Sequence, residues 1–152
     1  MEIADQPLLK FHGVDFPRVI FNAYKPADTT QADIQLSITP HVLFPKNKPD
    51  AFEIFAEVKL RRESYFDLDL VAIGHFESGK EIDQELKKSL VNRNAVAILF
   101  PYIRAFVTNL TTSLGAIVGP IIVPIQFFTG EVDELKEPEV IDQTPAEAKK
   151  LE

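Results

Sequence analysis

From Asp33 onward the apolar positions of this chain recur at every second residue. In the segment Asp33–Phe44, Ile34, Leu36 and Ile38 alternate with Gln35, Ser37 and Thr39. A Pro45–Asp50 loop, PKNKPD, supplies a turn. In Phe52–Arg61, Phe52, Ile54, Ala56, Val58 and Leu60 then face one way, while Glu53, Glu57, Lys59 and Arg61 face the other. A turn near Glu63–Ser64 leads to Phe66–Phe76, where Phe66, Leu68, Leu70 and Ala72 alternate with Asp67 and Asp69. Successive strand side chains point to opposite faces, so the pattern predicts antiparallel strands with one buried and one wet face. Upstream, Phe11, Val14, Phe16, Val19 and Phe21 mark a looser first strand.

At Ser78 the period changes. Ser78 followed by Glu81 fits a capping box, and Ile82, Leu86 and Leu90 fall on one helical stripe. This helix is expected to end near Asn92–Asn94. A second, with Asn94 as its N-cap, runs through Leu99, Ile103, Phe106, Leu110 and Leu114 to a stop at Gly115. Pro101 should bend it or divide it. Strands followed by helices predict an α+β fold, a four-stranded antiparallel sheet with helices packed on one face.

The stretch Ala95–Phe128 is almost wholly apolar, and Arg104 is its one formal charge. Pro101, Arg104, the TNLTTS cluster, Gly115, Gly119, Pro120 and Pro124 interrupt it, so its unbroken runs fall short of the ~20 residues of a spanning helix. No stable membrane insertion is expected. A helix apolar nearly all round is buried on several sides, and one small sheet covers only one. The remainder predicts an oligomer, dimer or tetramer.

Composition narrows the function classes. The 152 residues suit one domain. No cysteine is present, which removes disulfides, thiolate nucleophiles and zinc–thiolate sites. Of the net charge of −7, residues 131–152 hold −5, with eight acids against three lysines. That acidic tail, with two prolines and no aromatic residue, is expected to be largely disordered, and residues 1–130 to form the domain. A near-neutral body lacks the basic patch a nucleic-acid binder uses. The N-terminus MEIADQPLLK has acids where a signal peptide needs bases, so a cytoplasmic location is expected.

Chemistry-bearing patterns are scarce. His12, His41 and His75 are widely spaced, without the paired ligands of a metal site. Asp67 and Asp69 share a strand face and read as solvated carboxylates. Ser113-Leu-Gly115 is a helix end rather than a nucleophile elbow, and no phosphate-cradling glycine loop is present. Neither an enzyme nor a bound cofactor or metal is expected. The chain does have twelve phenylalanines and no tryptophan. Phe52, Phe66 and Phe76 fall on the inward strand face. Phe127 and Phe128 are adjacent on an extended, proline-stiffened segment and so point opposite ways. That segment is apolar on both sides, which fits a subunit interface or a groove for an apolar partner.

At these residues the sequence resembles a known family. Ile98-Leu-Phe-Pro-Tyr-Ile-Arg104 looks like the ILFPYAR signature of the SecB export chaperones. Downstream, Pro120-x-x-x-Pro124-x-x-Phe127 is similar to the family's P-x-x-x-x-P-x-N-F segment with one residue fewer. The resemblance covers roughly residues 8–128. It implies a SecB-like sheet with helices on one face, assembled as a tetramer of two dimers. It also implies a holdase that keeps unfolded preproteins in apolar grooves without ATP and passes them to the SecA motor. Client contacts then fall to Ile117, Ile121, Ile122, Val123, Ile125, Phe127 and Phe128. The oligomer interface falls to Leu99, Phe100, Tyr102, Ile103, Phe106 and Leu110. SecA docking in the family uses acids on the open sheet face, where Asp67 and Asp69 lie. Asp69 stands at a family glutamate and Asp67 at a leucine, whereas Arg18 and Asn22 replace two family acids. The family's final amphipathic helix is missing after Phe128, and Pro138 interrupts what remains. Two alternatives stand beside the holdase: an adaptor or antitoxin-type chaperone dedicated to one protein partner, and a small-molecule-binding domain.

Overall fold

The computed structural model describes residues 9–25, 33–78, 84–124 and 132–135. Four long strands form an antiparallel sheet, namely β1 (Leu9–Ala23), β2 (Ile34–Leu43), β3 (Ala51–Arg62) and β4 (Phe66–Ser78). A fifth, β5 (Asp133–Leu135), pairs parallel with β2, giving the order β1-β4-β3-β2-β5. The alternation read from the sequence is the alternation observed. Phe52, Ile54, Val58 and Leu60 of β3 and Phe66, Leu68, Leu70 and Phe76 of β4 are all buried on the inner face.

β1 is more regular than its sequence suggests, but it is bulged. Its register against β4 slips between Phe11 and Gly13 and again between Asp15 and Arg18. Gly13 takes φ +125°, a region that side chains rarely enter. Pro17 lies in the second slip, on an edge strand, where a missing N–H costs no ladder bond.

The helical region corrects three expectations. Ser78 is not a helix cap; it ends β4, and its hydroxyl donates to the Asp50 carbonyl at 3.1 Å. Glu81 and Ile82 of the expected cap and stripe lie outside the described residues. Nor does the helix stop at Asn92–Asn94. α1 (Gln84–Ser89), a π-helical turn (Leu90–Ala95) and α2 (Val96–Ser113) run on as one helix, straight through Pro101. The asparagines cannot cap because the sheet holds the backbone across them. Val91, Ala95, Leu99, Ile103, Val107 and Thr111, each four residues on, form one buried row against the strands. The continuous helix also meets the length and composition of a membrane span, which the predicted interruptions had excluded. Its buried row is instead spent on the sheet.

Phenylalanine builds much of this core. Phe52, Phe76 and Phe11 are direct cross-strand partners on β3, β4 and β1. Phe44 extends the row at one end and Tyr102 of α2 at the other, with successive ring centroids 4.9–6.0 Å apart. Pairs at such spacing add about 0.5–1.5 kcal/mol each beyond their area. Gly74 lets the helix settle onto this row, because a Cβ there would lie 2.8 Å from Phe76 Cε2 and 3.0 Å from Leu99 Cδ1.

Candidate functional site

The chain leaves α2 through Gly115, at φ +79°, and a short 3-10 turn, Gly115–Ile117. Val118 and Gly119, the latter at φ +77°, complete the turn, and Pro120–Pro124 runs back along the helix as a strip. What holds the strip there is the polar set that interrupts the apolar stretch. Arg104 Nε donates to the Val123 carbonyl at 2.9 Å, and Thr108 Oγ1 donates to the Ile121 carbonyl at 2.8 Å. The Ile121 N–H donates to Thr111 Oγ1 at 2.9 Å, while that hydroxyl donates to Val107 O at 2.8 Å. Residues 104, 108 and 111 are spaced i, i+4, i+7 and therefore share one helix face. Together they pair inward backbone groups of a segment that, among the described residues, no strand flanks.

The pinning sorts the expected client residues by side. Ile121 and Val123 are 6% and 1% exposed, and with Val118 they close the core. Ile122 is 76% exposed and Ile117 43%, with Pro120 and Pro124 also at the surface. Ile125, Phe127 and Phe128 lie outside the described residues. The strip is thus apolar on both sides as read, with its two faces already divided between core and solvent.

The expected interface residues divide in the same way. Leu99 and Ile103 are buried against the sheet within one chain. Phe100, Phe106 and Leu110 are half-buried, and Tyr102 is 48% exposed. Phe106 stacks on Phe16 of β1 with centroids 3.9 Å apart and planes 11° apart, and Tyr102 lies against Phe11. On β1, Val19 and Ile20 are exposed. Adjacent strand residues point to opposite faces, so of these two only Val19, paired with the inward Leu70, lies on the helix side of the sheet.

On the outer sheet face, Asp67 and Asp69 do share a side, and each faces an arginine in an exposed ion pair. Arg61 Nε lies 3.5 Å from Asp67, and an Arg18 guanidinium nitrogen lies 3.7 Å from Asp69. The Tyr24 hydroxyl donates to Asp67 at 2.6 Å. That hydrogen bond, with burial and the carboxylate's charge adding to it, raises the phenol above its ordinary range. Two of the three histidines are also engaged. His12 meets Glu77 at 2.9 Å, and His75 meets Asp15 at 2.7 Å and Glu53 at 3.5 Å. They line a cleft of about 850 Å³ at the β2–β3 turn.

Reading the sequence treated Arg104 and TNLTTS as breaks and missed their role. The available signal was their spacing. Polar groups at i, i+4 and i+7 in an otherwise apolar helix need partners within the fold.

Comparison with known proteins bears on this geometry. No protein-family model matches the chain, and no curated protein matches it. A Mycobacterium tuberculosis SecB-like chaperone, Rv1957, solved in complex with a ChAD peptide from the Rv1956 HigA1 antitoxin, superposes with a TM-score of 0.66. The match covers 78% of this chain and 90% of that one at 19% identity. A protein of unknown function from Streptococcus agalactiae aligns over 77% of this chain and 97% of its own at 9% identity, with a TM-score of 0.45. Likeness at such identity speaks for architecture alone, and the architecture is that of the SecB-like chaperone: an α+β fold with one long helix laid across an antiparallel sheet.

Proposed function

We propose that this protein is a SecB-like, ATP-independent chaperone that holds exposed apolar segments of other polypeptides. One observation carries the reading. An apolar strip is fixed in extended form by Arg104, Thr108 and Thr111 while Ile117 and Ile122 stand out into solvent. Fixing the strip removes the ordering cost that a flexible apolar loop meets on binding. Burial of apolar surface contributes ~25 cal/mol per Å² and is non-directional, which suits loosely specified clients. The SecB-like fold and the Ile98–Arg104 motif support the same reading.

The apolar surface of Phe100, Tyr102, Phe106 and Leu110 fits a homo-oligomer contact, as a dimer or a tetramer, in a cytoplasmic protein. Sedimentation of a well-folded monomer at micromolar concentration removes that part. The reading is tested by suppression of aggregation of a reduced, unfolded client at near-stoichiometric ratio. Ile122→Asp with Ile117→Asp should abolish suppression while leaving the unfolding midpoint unchanged, since both side chains are exposed. Full suppression by this variant, or none by the wild type, overturns it.

A second reading, a chaperone or adaptor serving one partner, has its own observation. Arg18 and Arg61 lie beside Asp69 and Asp67, so the open sheet face mixes bases with the acids that would meet a SecA motor. The structural neighbour's antitoxin peptide is in keeping with a dedicated client. Co-purification separates the two readings: one stoichiometric partner favours the specialist, and many clients favour the holdase.

A further inference from the structure

The acidic segment expected to lie apart from the domain begins as part of its sheet. β5 adds to the free edge of β2, with Asp133, Glu134 and Leu135 opposite His41, Val42 and Leu43. It grips both sides of that edge. Val132 packs on the inner core beneath the helix, whereas Leu135 joins Leu43, Phe55, Val71 and Ile73 on the outer face. Glu134 lines a cleft of about 530 Å³ with Lys87, Lys88, Phe44 and Val91. The Val132 N–H donates to Asn92 Oδ1 at 2.8 Å. Asn92 lies in the π-helical turn, and such single turns of π-helix are enriched at functional sites. Here the turn brings a side-chain acceptor to the point where the tail enters the sheet.

Three features make this strand exchangeable. It is only three residues long, and Asp133 and Glu134 are exposed. Among the described residues, nothing pairs with the outer edge of β2 at Ile34–Pro40, where a longer strand would add. His41, opposite Asp133, has its shielded Nδ1 without a hydrogen-bond partner, and a different strand could supply one.

We infer that Val132–Leu135 is a self-occluding strap. It occupies the β2 edge in the resting protein and yields it to an extended segment of the same apolar–acidic–acidic–apolar pattern, which adds by backbone pairing. Only the consequence for clients rests on the proposed chaperone function; the strap itself does not. Occlusion lowers apparent client affinity by the fraction of molecules in which the edge is open, and opening it restores that affinity.

The test uses the full chain with Val132→Asp/Leu135→Asp, and separately Asn92→Ala, which leaves both apolar anchors in place. Hydrogen exchange at the backbone amides of residues 41–43 should quicken in both variants. A fluorescent peptide spanning residues 130–137 of this chain, added in trans, should bind the double variant, restore protection at 41–43, and bind wild type at least about threefold more weakly. Unchanged exchange at 41–43 in both variants, or equal peptide binding to variant and wild type, overturns the strap. A reduced, unfolded client is titrated in parallel. If the strap responses appear but neither protein binds the client, the chaperone reading fails and the strap stands. Client binding equal in variant and wild type overturns the strap's control of access.

Discussion

Replacing Thr111 by valine tests whether the polar row on α2 holds the extended strip. Thr111 is fully buried, and its Oγ1 accepts the Ile121 N–H at 2.9 Å. Valine has nearly the same shape, so it opens no cavity and leaves that buried N–H without an acceptor. An unsatisfied buried donor costs about 1–3 kcal/mol. The carbonyl of Val107 loses a second bond but keeps its place in the helix, which adds little. A loss of about 2 kcal/mol lowers Tm by about 4–8 °C in a chain of this length. If the loss is local to the strip, amide exchange at Ile121 accelerates about 30-fold. Thr111→Ser keeps the oxygen and loses one methyl, worth about 1 kcal/mol. It should therefore lower stability without releasing Ile121. Urea unfolding at fixed protein concentration, with exchange measured on the same samples, separates the two variants. A Thr111→Val protein within about 0.5 kcal/mol of wild type, with Ile121 still protected, would refute the claim that this hydroxyl pins the strip.

Two other substitutions probe the sheet. Gly74→Ala puts a methyl against Phe76 and Leu99 in a stacked core and should cost about 1–3 kcal/mol in urea unfolding; unchanged stability means that the helix does not rest on this glycine. Tyr24 should ionise above its ordinary value of 10.0 by phenolate absorbance, and Asp67→Asn should bring its midpoint down. Because the folded-state value is the raised one, the bond's stabilisation is complete below the unfolded-state pKa and fades as pH climbs through the folded one. A Tyr24 midpoint insensitive to Asp67→Asn removes the bond as its cause.

The strand region was legible because its information is local. A residue's side of the sheet follows from its parity, so Phe52, Phe66 and Phe76 could be placed inward without any knowledge of neighbours. The helix was only half legible. Asn92–Asn94 and Pro101 are locally valid stop signals, but a buried row from Val91 to Thr111 outweighs them. Burial along six successive positions exceeds the cost of one missing helix bond. The candidate site was legible as a segment and not as a surface. The sequence marked residues 119–128 as apolar on both sides, yet which side of their described part met the core depended on hydrogen bonds to residues 10 to 19 positions away.

By itself, then, the sequence determined the α+β class, the strand faces, the motif at Ile98–Arg104 and the apolar character of the segment around it, Ala95–Phe128. These depend on period and composition, which are properties of a chain read in order. Tertiary structure alone decided that Leu99, Ile103, Ile121 and Val123 belong to the core while Ile117, Ile122 and Tyr102 face outward. It also decided that Asp67 and Asp69 each face an arginine and that an acidic tail segment adds to the sheet. Each of those outcomes turns on a partner distant in sequence, and only packing selects which of several chemically similar residues meets it.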